Sequence, residues 1–172
     1  MKKTRSTSLL DEALEAWAYT RDGVIAEVES LPESALDFKP TDASRTTRAL
    51  VQHILESGLM MAGELTRADG DFQRQSYPEF LAEYARDVTR HRTKAALVKA
   101  LKTSHADGAK RMLAAGEVRT LQTIRQFNGE PATRLSWMQH GIAHEEYHRG
   151  QLALYARLVG RVPALTKLIQ GG

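Results

Sequence analysis

The sequence contains no cysteine among its 172 residues. Disulfide bonds, thiolate metal ligands and a cysteine nucleophile are therefore excluded. Any metal ion must be held by histidine, aspartate, glutamate or water. Any thiol chemistry requires a thiol that a substrate or cosubstrate brings in.

Long apolar runs are missing as well. No stretch approaches the ~20 apolar residues that a bilayer-spanning helix needs, and no apolar signal core follows the basic N-terminus, Met1-Lys2-Lys3-Thr4-Arg5. We therefore expect a cytoplasmic protein that does not use a membrane. With 42% hydrophobic and 26% charged residues, the chain is typical of one globular domain, which we assign to residues 1–172.

Acidic residues are absent from the end of the chain. After Glu146 the sequence contains no acidic residue and four basic residues: Arg149, Arg157, Arg161 and Lys167. Together with the formal net charge of +3, this pattern would suit an anionic partner. The positive residues are scattered, however, and no aromatic-basic or helix-turn-helix pattern accompanies them. A basic surface in solvent is therefore favoured, and nucleic-acid binding is not expected.

Helical periodicity dominates the sequence. It predicts four long helices: residues 8–30, residues 44 or 46 to 66, residues 76 to a break near 103–104, and residues 133–159. A short extra helix is predicted at 106–115, and a long connection with one extended piece at 116–133; the last dozen residues carry no strong signal. The fold class is therefore all-α, a four-helix bundle with long connections. The last connection would allow helices three and four to lie parallel, which the sequence leaves open.

Three of the six histidines stand four residues apart on the last helix, at His140, His144 and His148. Residues four apart share one helix face, and here that face also carries apolar residues, which predicts that it points inward. Two such imidazoles, at i and i+4, are typical ligands of a divalent ion. His140 and His148 are roughly 12 Å apart along the axis, so all three cannot serve one ion.

A further ligand must then come from another helix. His53, in the middle of helix two, shares its face with Ser57 and Met60, and by itself such a residue is more often a core histidine. The need for a third ligand favours His53 as that ligand. Glu56 and Glu64 are the nearest acidic substitutes on the same helix.

Two better-known metal motifs overlap this stretch. Residues 144–148 match H-E-x-x-H, the zinc-protease signature, but no histidine or acid follows that would supply the third ligand. Residues 145–148 match the Glu-x-x-His element of di-iron bundles, which need two copies, and the sequence holds one. Both interpretations are disfavoured.

The segment His144-x-x-x-His148-Arg149-Gly150-Gln151-Leu152, together with His53 in Leu50-Val51-Gln52-His53-Ile54, resembles the DinB-like superfamily of bacterial, damage-inducible metal-binding bundles. The resemblance implies an up-down-down-up bundle, often a homodimer. It also implies a three-histidine site of His53, His144 and His148 that holds nickel, zinc or another divalent ion. His140 lies outside the pattern and is expected to line the pocket.

The resemblance also implies chemistry, because relatives with assigned activities are metal-dependent enzymes that use low-molecular-weight thiols. Three neutral histidines leave open positions on an ion, which acidifies bound water or thiol. Gln151 and Tyr155, on the face of His148, are expected to orient the ion's remaining ligand, and Glu145 to act as a base or hydrogen-bond acceptor.

Two functions therefore remain open. The first is an enzyme that activates water or a small thiol against a small-molecule substrate, as an S-transferase or hydrolase. The second is a non-enzymatic, metal-binding stress-response bundle. An open ligand position beside a pocket would favour the first, and a closed four-ligand site would favour the second.

Overall fold

The computed structural model describes residues 7–171. The basic stretch Met1-Lys2-Lys3-Thr4-Arg5 lies outside the described residues. The helices are α1 (Leu9–Ser30), α2 (Thr47–Thr66), α3 (Tyr77–Tyr84), α4 (Lys94–Thr120), α5 (Arg134–Leu158) and α6 (Ala164–Gln170). Short 3₁₀ turns occur at Glu33–Asp37 and Val88–Arg90, and a small antiparallel hairpin pairs β1 (Thr123–Arg125) with β2 (Pro131–Thr133). The all-α prediction is confirmed.

Local capping explains where the long helices begin. Ser8 and Asp11 form a capping box, in which the Ser8 hydroxyl accepts from the Asp11 N–H at 3.0 Å. At the starts of α2, α4 and α5 a threonine hydroxyl accepts a backbone N–H in the same way. These caps are Thr46, Thr93 and Thr133. No helix within residues 7–171 is long and apolar enough to span a membrane.

Contacts at the helix ends fix the directions of α1, α2 and α4. The Lys94 ammonium, at the start of α4, donates to the Leu31 carbonyl just beyond α1, at 2.8 Å. These two helices are therefore antiparallel. Arg48, near the start of α2, donates to the Arg92 carbonyl just before α4, at 3.0 Å. Helices α2 and α4 therefore run parallel to each other.

The last long helix, α5, is parallel to α1. Its first residue, Arg134, donates to the Leu65 carbonyl at the end of α2, at 3.0 Å. The Ala164 N–H that follows its other end donates to Glu27 near the end of α1, at 2.9 Å. The bundle is therefore up-down-down-up, as expected. Because α4 and α5 are antiparallel, the parallel arrangement that the sequence left open does not occur.

The predicted end of the third helix is wrong. Helix α3 ends at Tyr84, and Ala85 leaves helical geometry with φ −133°. Ala85 and Val88 are buried in the core, so the turn between the helices is held by apolar packing. Thr93 then caps α4, a new helix. The helical spacing of the apolar residues continues through this turn, which is why periodicity missed it.

The predicted break at 103–104 and the separate helix at 106–115 do not exist. The Thr103 hydroxyl donates to the Lys99 carbonyl at 2.8 Å, and the Ser104 hydroxyl donates to Leu101 at 3.2 Å. Both side chains therefore bond within the helix instead of ending it. The regular geometry of α4 is interrupted at Gly116, whose φ is +80°.

The chain after Gly160 contains a helix that the sequence did not predict. Ala164 and Leu165 are the first two residues of α6. Their backbone N–H groups donate to the buried Glu27 carboxylate, at 2.9 and 3.3 Å. Because the cap comes from α1, no local capping signal marks this helix.

Candidate metal centre

Antiparallel helices α2 and α5 bring three histidines together. His53 lies on α2, and His144 and His148 lie one turn apart on α5. The Nε2 atom of His144 is 3.2 Å from Nε2 of His53 and 3.0 Å from Nε2 of His148. These side chains form the one group of three or more potential metal ligands found in residues 7–171. The set expected from the resemblance is therefore brought together.

The donor geometry fits a small divalent cation. Bond lengths of about 2.0–2.1 Å in a tetrahedral site would place neighbouring ligand nitrogens about 3.3 Å apart. The two separations from His144 are within a few tenths of an ångström of that value, and all three donor atoms lie within 4.8 Å of one another. The side-chain oxygen of Gln151 is 2.7 Å from Nδ1 of His148. An oxygen acceptor there fixes the proton on Nδ1, so Nε2 of His148 directs a lone pair at the other two imidazoles.

The electrostatics keep the three imidazoles neutral. Burial is the main cause that lowers the pKa of each of them. For His53, the charge of Arg45 and the neighbouring imidazoles add to burial and lower the pKa to about 4. For His148, the hydrogen bond to Gln151 opposes the lowering. Near neutral pH the three imidazoles are therefore uncharged, the state in which histidine binds metal.

The outer nitrogens of the three rings differ in their partners. His148 has Gln151, whereas Nδ1 of His53 is 3.9 Å from the Glu56 carboxylate, too far for a hydrogen bond. Nδ1 of His144 is buried and has no hydrogen-bond partner among the described residues. Gln151 thus contacts a candidate ligand itself, whereas we expected it to orient the ion's remaining ligand.

The other two predicted polar residues face elsewhere. Glu145 is 1% exposed, and its oxygens accept from Trp17 Nε1 and Arg21 Nε, both at 2.9 Å. The Tyr155 hydroxyl donates to the Arg45 carbonyl at 3.1 Å. The polar atoms of Glu145 and Tyr155 therefore have partners outside the triad.

A cavity of about 250 Å³ adjoins the triad, with His53 and His144 in its wall. His140 also lines it, as expected; its exposed imidazole lies against Trp137, with ring centroids 5.2 Å apart. The sequence did not point to Tyr77 and Phe127, which line the same cavity. They belong to α3 and to the hairpin loop, where no periodic pattern marks a functional face.

The fold and the three histidines define a class, an up-down-down-up helical bundle with a candidate metal centre between two antiparallel helices. A family model described as the DinB family matches residues 1–170. The chain therefore belongs to the DinB family. No curated protein matches it.

Solved structures share the fold at low sequence identity. A DinB-like protein of Bacillus subtilis, YjoA, is 20% identical with a TM-score of 0.66, and one of Bacillus cereus is 16% identical with a TM-score of 0.67; each match covers 88% of this chain and 93% of the other. YfiT of Bacillus subtilis, described as a probable metal-dependent hydrolase with an unusual four-helix bundle topology, is 15% identical with a TM-score of 0.64. That match covers 94% of this chain and 93% of YfiT.

Proposed function

We propose that His53, His144 and His148 hold a divalent ion, nickel or zinc, in an enzyme. The enzyme activates water or a low-molecular-weight thiol for attack on a small-molecule substrate, as a hydrolase or S-transferase. The observation that carries this proposal is the convergence of three neutral imidazole Nε2 atoms beside a cavity of about 250 Å³. The chain has no cysteine, so a reacting thiol must come from outside.

The residues around the triad have separate tasks in this proposal. When bound, the ion would lower the pKa of a water or thiol in its open position. Gln151 holds the His148 ring in the tautomer that a ligand needs. Glu145 stabilises the packing of α5 on α1 through Trp17 and Arg21. His140 lines the cavity, so a substrate there would meet its imidazole beside the triad.

Two observations support the enzyme over a non-enzymatic metal-binding bundle. The cluster in the described part of the chain offers three ligands, not the four of a closed structural site. Two of those ligands, His53 and His144, also border the cavity. The description of YfiT as a probable metal-dependent hydrolase supports the hydrolase form of the proposal.

Elemental analysis of protein purified without a histidine tag tests the proposal. We expect about one ion per chain in the wild type and almost none in His148→Ala. His140→Ala is the matched control, since it removes a histidine from the same helix face but outside the triad, and we expect it to keep the ion. A wild type that takes up neither nickel nor zinc would overturn the proposal, and so would equal metal loss in both variants.

We also propose a homodimer. Apolar side chains on the outer surface of α5 and on α6 are exposed to solvent, and burying them against a second copy would remove that area from water. They are Leu154, Leu158, Leu165, Leu168 and Ile169. Light scattering should give twice the chain mass of 19.2 kDa; the single-chain mass would contradict the proposal.

A further inference from the structure

The cavity beside the triad has an unusual lining. Apart from the histidines, its wall is formed mainly by large apolar and aromatic side chains: Met60, Met61, Tyr77, Phe127 and Trp137. No lysine, arginine, aspartate or glutamate lines it. A charged group that entered this cavity away from the histidines would lose water without gaining an ion-pair partner there.

The aromatic part of this wall rests on buried packing. Phe72 is 1% exposed, and its ring centroid is 4.9 Å from that of Phe127 and 4.8 Å from that of Trp137. The Phe127 and Trp137 rings are 5.6 Å apart, and Tyr77 contacts Phe127 at 6.4 Å. Three separate segments thus present rings to one space, and a buried ring packs against two of those rings.

The hairpin loop that carries Phe127 is also fixed in place. Gln73 donates from its side-chain amide to the Gln126 carbonyl at 3.2 Å, and to the Phe127 carbonyl. Gly129 supplies the left-handed conformation that the turn requires, with φ +86°. Phe127 therefore keeps its position in the wall although 38% of its side chain is exposed.

We propose that this cavity binds an uncharged aromatic group of the substrate, whose reacting atom is attached to that ring and faces the triad. An apolar cavity of about 150 Å³ accommodates benzene, so about 250 Å³ accommodates one substituted ring. Aromatic side chains favour an aromatic partner because ring edges and faces attract each other. The inference rests on the proposed function, since it assigns a substrate class to that same site.

Two hydroxamates distinguish how much the aromatic ring and how much the metal ion contribute to ligand affinity. Benzohydroxamate and acetohydroxamate carry the same chelating group and differ in that the first has a phenyl ring. Calorimetric titration of the zinc-loaded protein should show that benzohydroxamate binds at least about tenfold more tightly. In Phe127→Ala that ratio should fall severalfold. Tyr19→Ala is the control, because it removes an exposed ring outside the cavity and should leave the ratio unchanged.

The outcomes distinguish this inference from the proposed function. Equal affinity for both hydroxamates in the wild type would overturn the aromatic-group inference while leaving the metal site intact. A ratio that is the same in wild type and Phe127→Ala would overturn it too. Failure of the protein to bind either zinc or nickel, and therefore either hydroxamate at the triad, would overturn the proposed function.

A measurement on the metal-free protein tests the aromatic site even if no metal ion binds. Crystals of the metal-free protein soaked in 4-bromophenol should show an anomalous bromine peak between Tyr77, Phe127 and Trp137. A ring bound there would support the aromatic site without the ion. Bromine peaks elsewhere and none in this cavity would overturn the inference.

Discussion

At the scale of single residues, the hydrogen bond between Gln151 and His148 links the sequence motif to the candidate metal centre. The amide oxygen of Gln151 lies 2.7 Å from Nδ1 of His148. An amide oxygen accepts only, so the imidazole must donate from Nδ1 and keep Nε2 unprotonated. Gln151 is three residues beyond His148 on α5, so the helix itself supplies the geometry.

We predict that Gln151→Ala lowers the affinity for zinc roughly 10–100-fold, the usual effect of removing a hydrogen bond to a metal-ligating histidine. Competition with a chelator of known affinity measures it. Gln151→Glu is the control, because a carboxylate still accepts from Nδ1, and its affinity should be no lower than that of the wild type. An alanine variant with wild-type affinity would show that Gln151 does not contribute to metal binding.

At the scale of secondary-structure elements, Glu145 joins α5 to α1. Its side chain and that of Arg21 are each 1% exposed, and Arg21 also donates to the Leu101 carbonyl of α4 at 3.0 Å. The pair therefore connects three of the four long helices. Its neighbour Glu146 pairs with Arg149 instead, with a side chain that is 40% exposed.

We predict that Glu145→Ala lowers the free energy of unfolding by roughly 3–5 kcal/mol, because it leaves the Arg21 charge buried and unpaired. Glu146→Ala should lower it by less, about 1 kcal/mol, because the Glu146 side chain is 40% exposed and water weakens its interaction with Arg149. Urea denaturation of the metal-free proteins measures both. A Glu145→Ala protein with wild-type stability and abolished turnover would instead indicate that Glu145 is a catalytic base.

At the scale of the whole molecule, the buried histidines make the stability of the metal-free fold depend on pH. The pKa of His53 falls from 6.5 to about 4 on folding, so between these values the unfolded chain binds more protons than the folded one. Stability therefore decreases as pH falls from about 6.5 to about 4. The lowered pKa values of His144 and His148 act in the same direction.

We predict that the metal-free protein loses on the order of 3 kcal/mol through His53 alone between pH 7.5 and pH 4. Urea denaturation at a series of pH values, in the presence of a chelator, measures the loss. His53→Gln removes the titrating group but keeps a polar side chain, so its stability should depend less steeply on pH. Identical pH profiles for the two proteins would show that His53 is not buried in a neutral state.

Local patterns in the sequence were sufficient to predict the first, second and last long helices and the histidine-bearing face of α5. These features depend on neighbours within four residues: the caps Ser8, Thr46 and Thr133, and the spacing of His144 and His148. Local hydrogen bonds and periodicity act within one turn, so they are visible along the chain. His53 was predicted as a ligand only through the need for a third donor and the family resemblance.

Features that depend on contacts between distant residues could not be predicted from local patterns. Glu145 lies 124 residues from its partner Arg21, and Glu27 caps a helix 137 residues later in the chain. The turn before Thr93 and the aromatic wall around Phe127 are likewise held by packing between segments. Periodicity indicates which side of a helix is buried but not which remote group that side meets. That choice is made when the helices pack, because buried polar atoms and rings must then find partners.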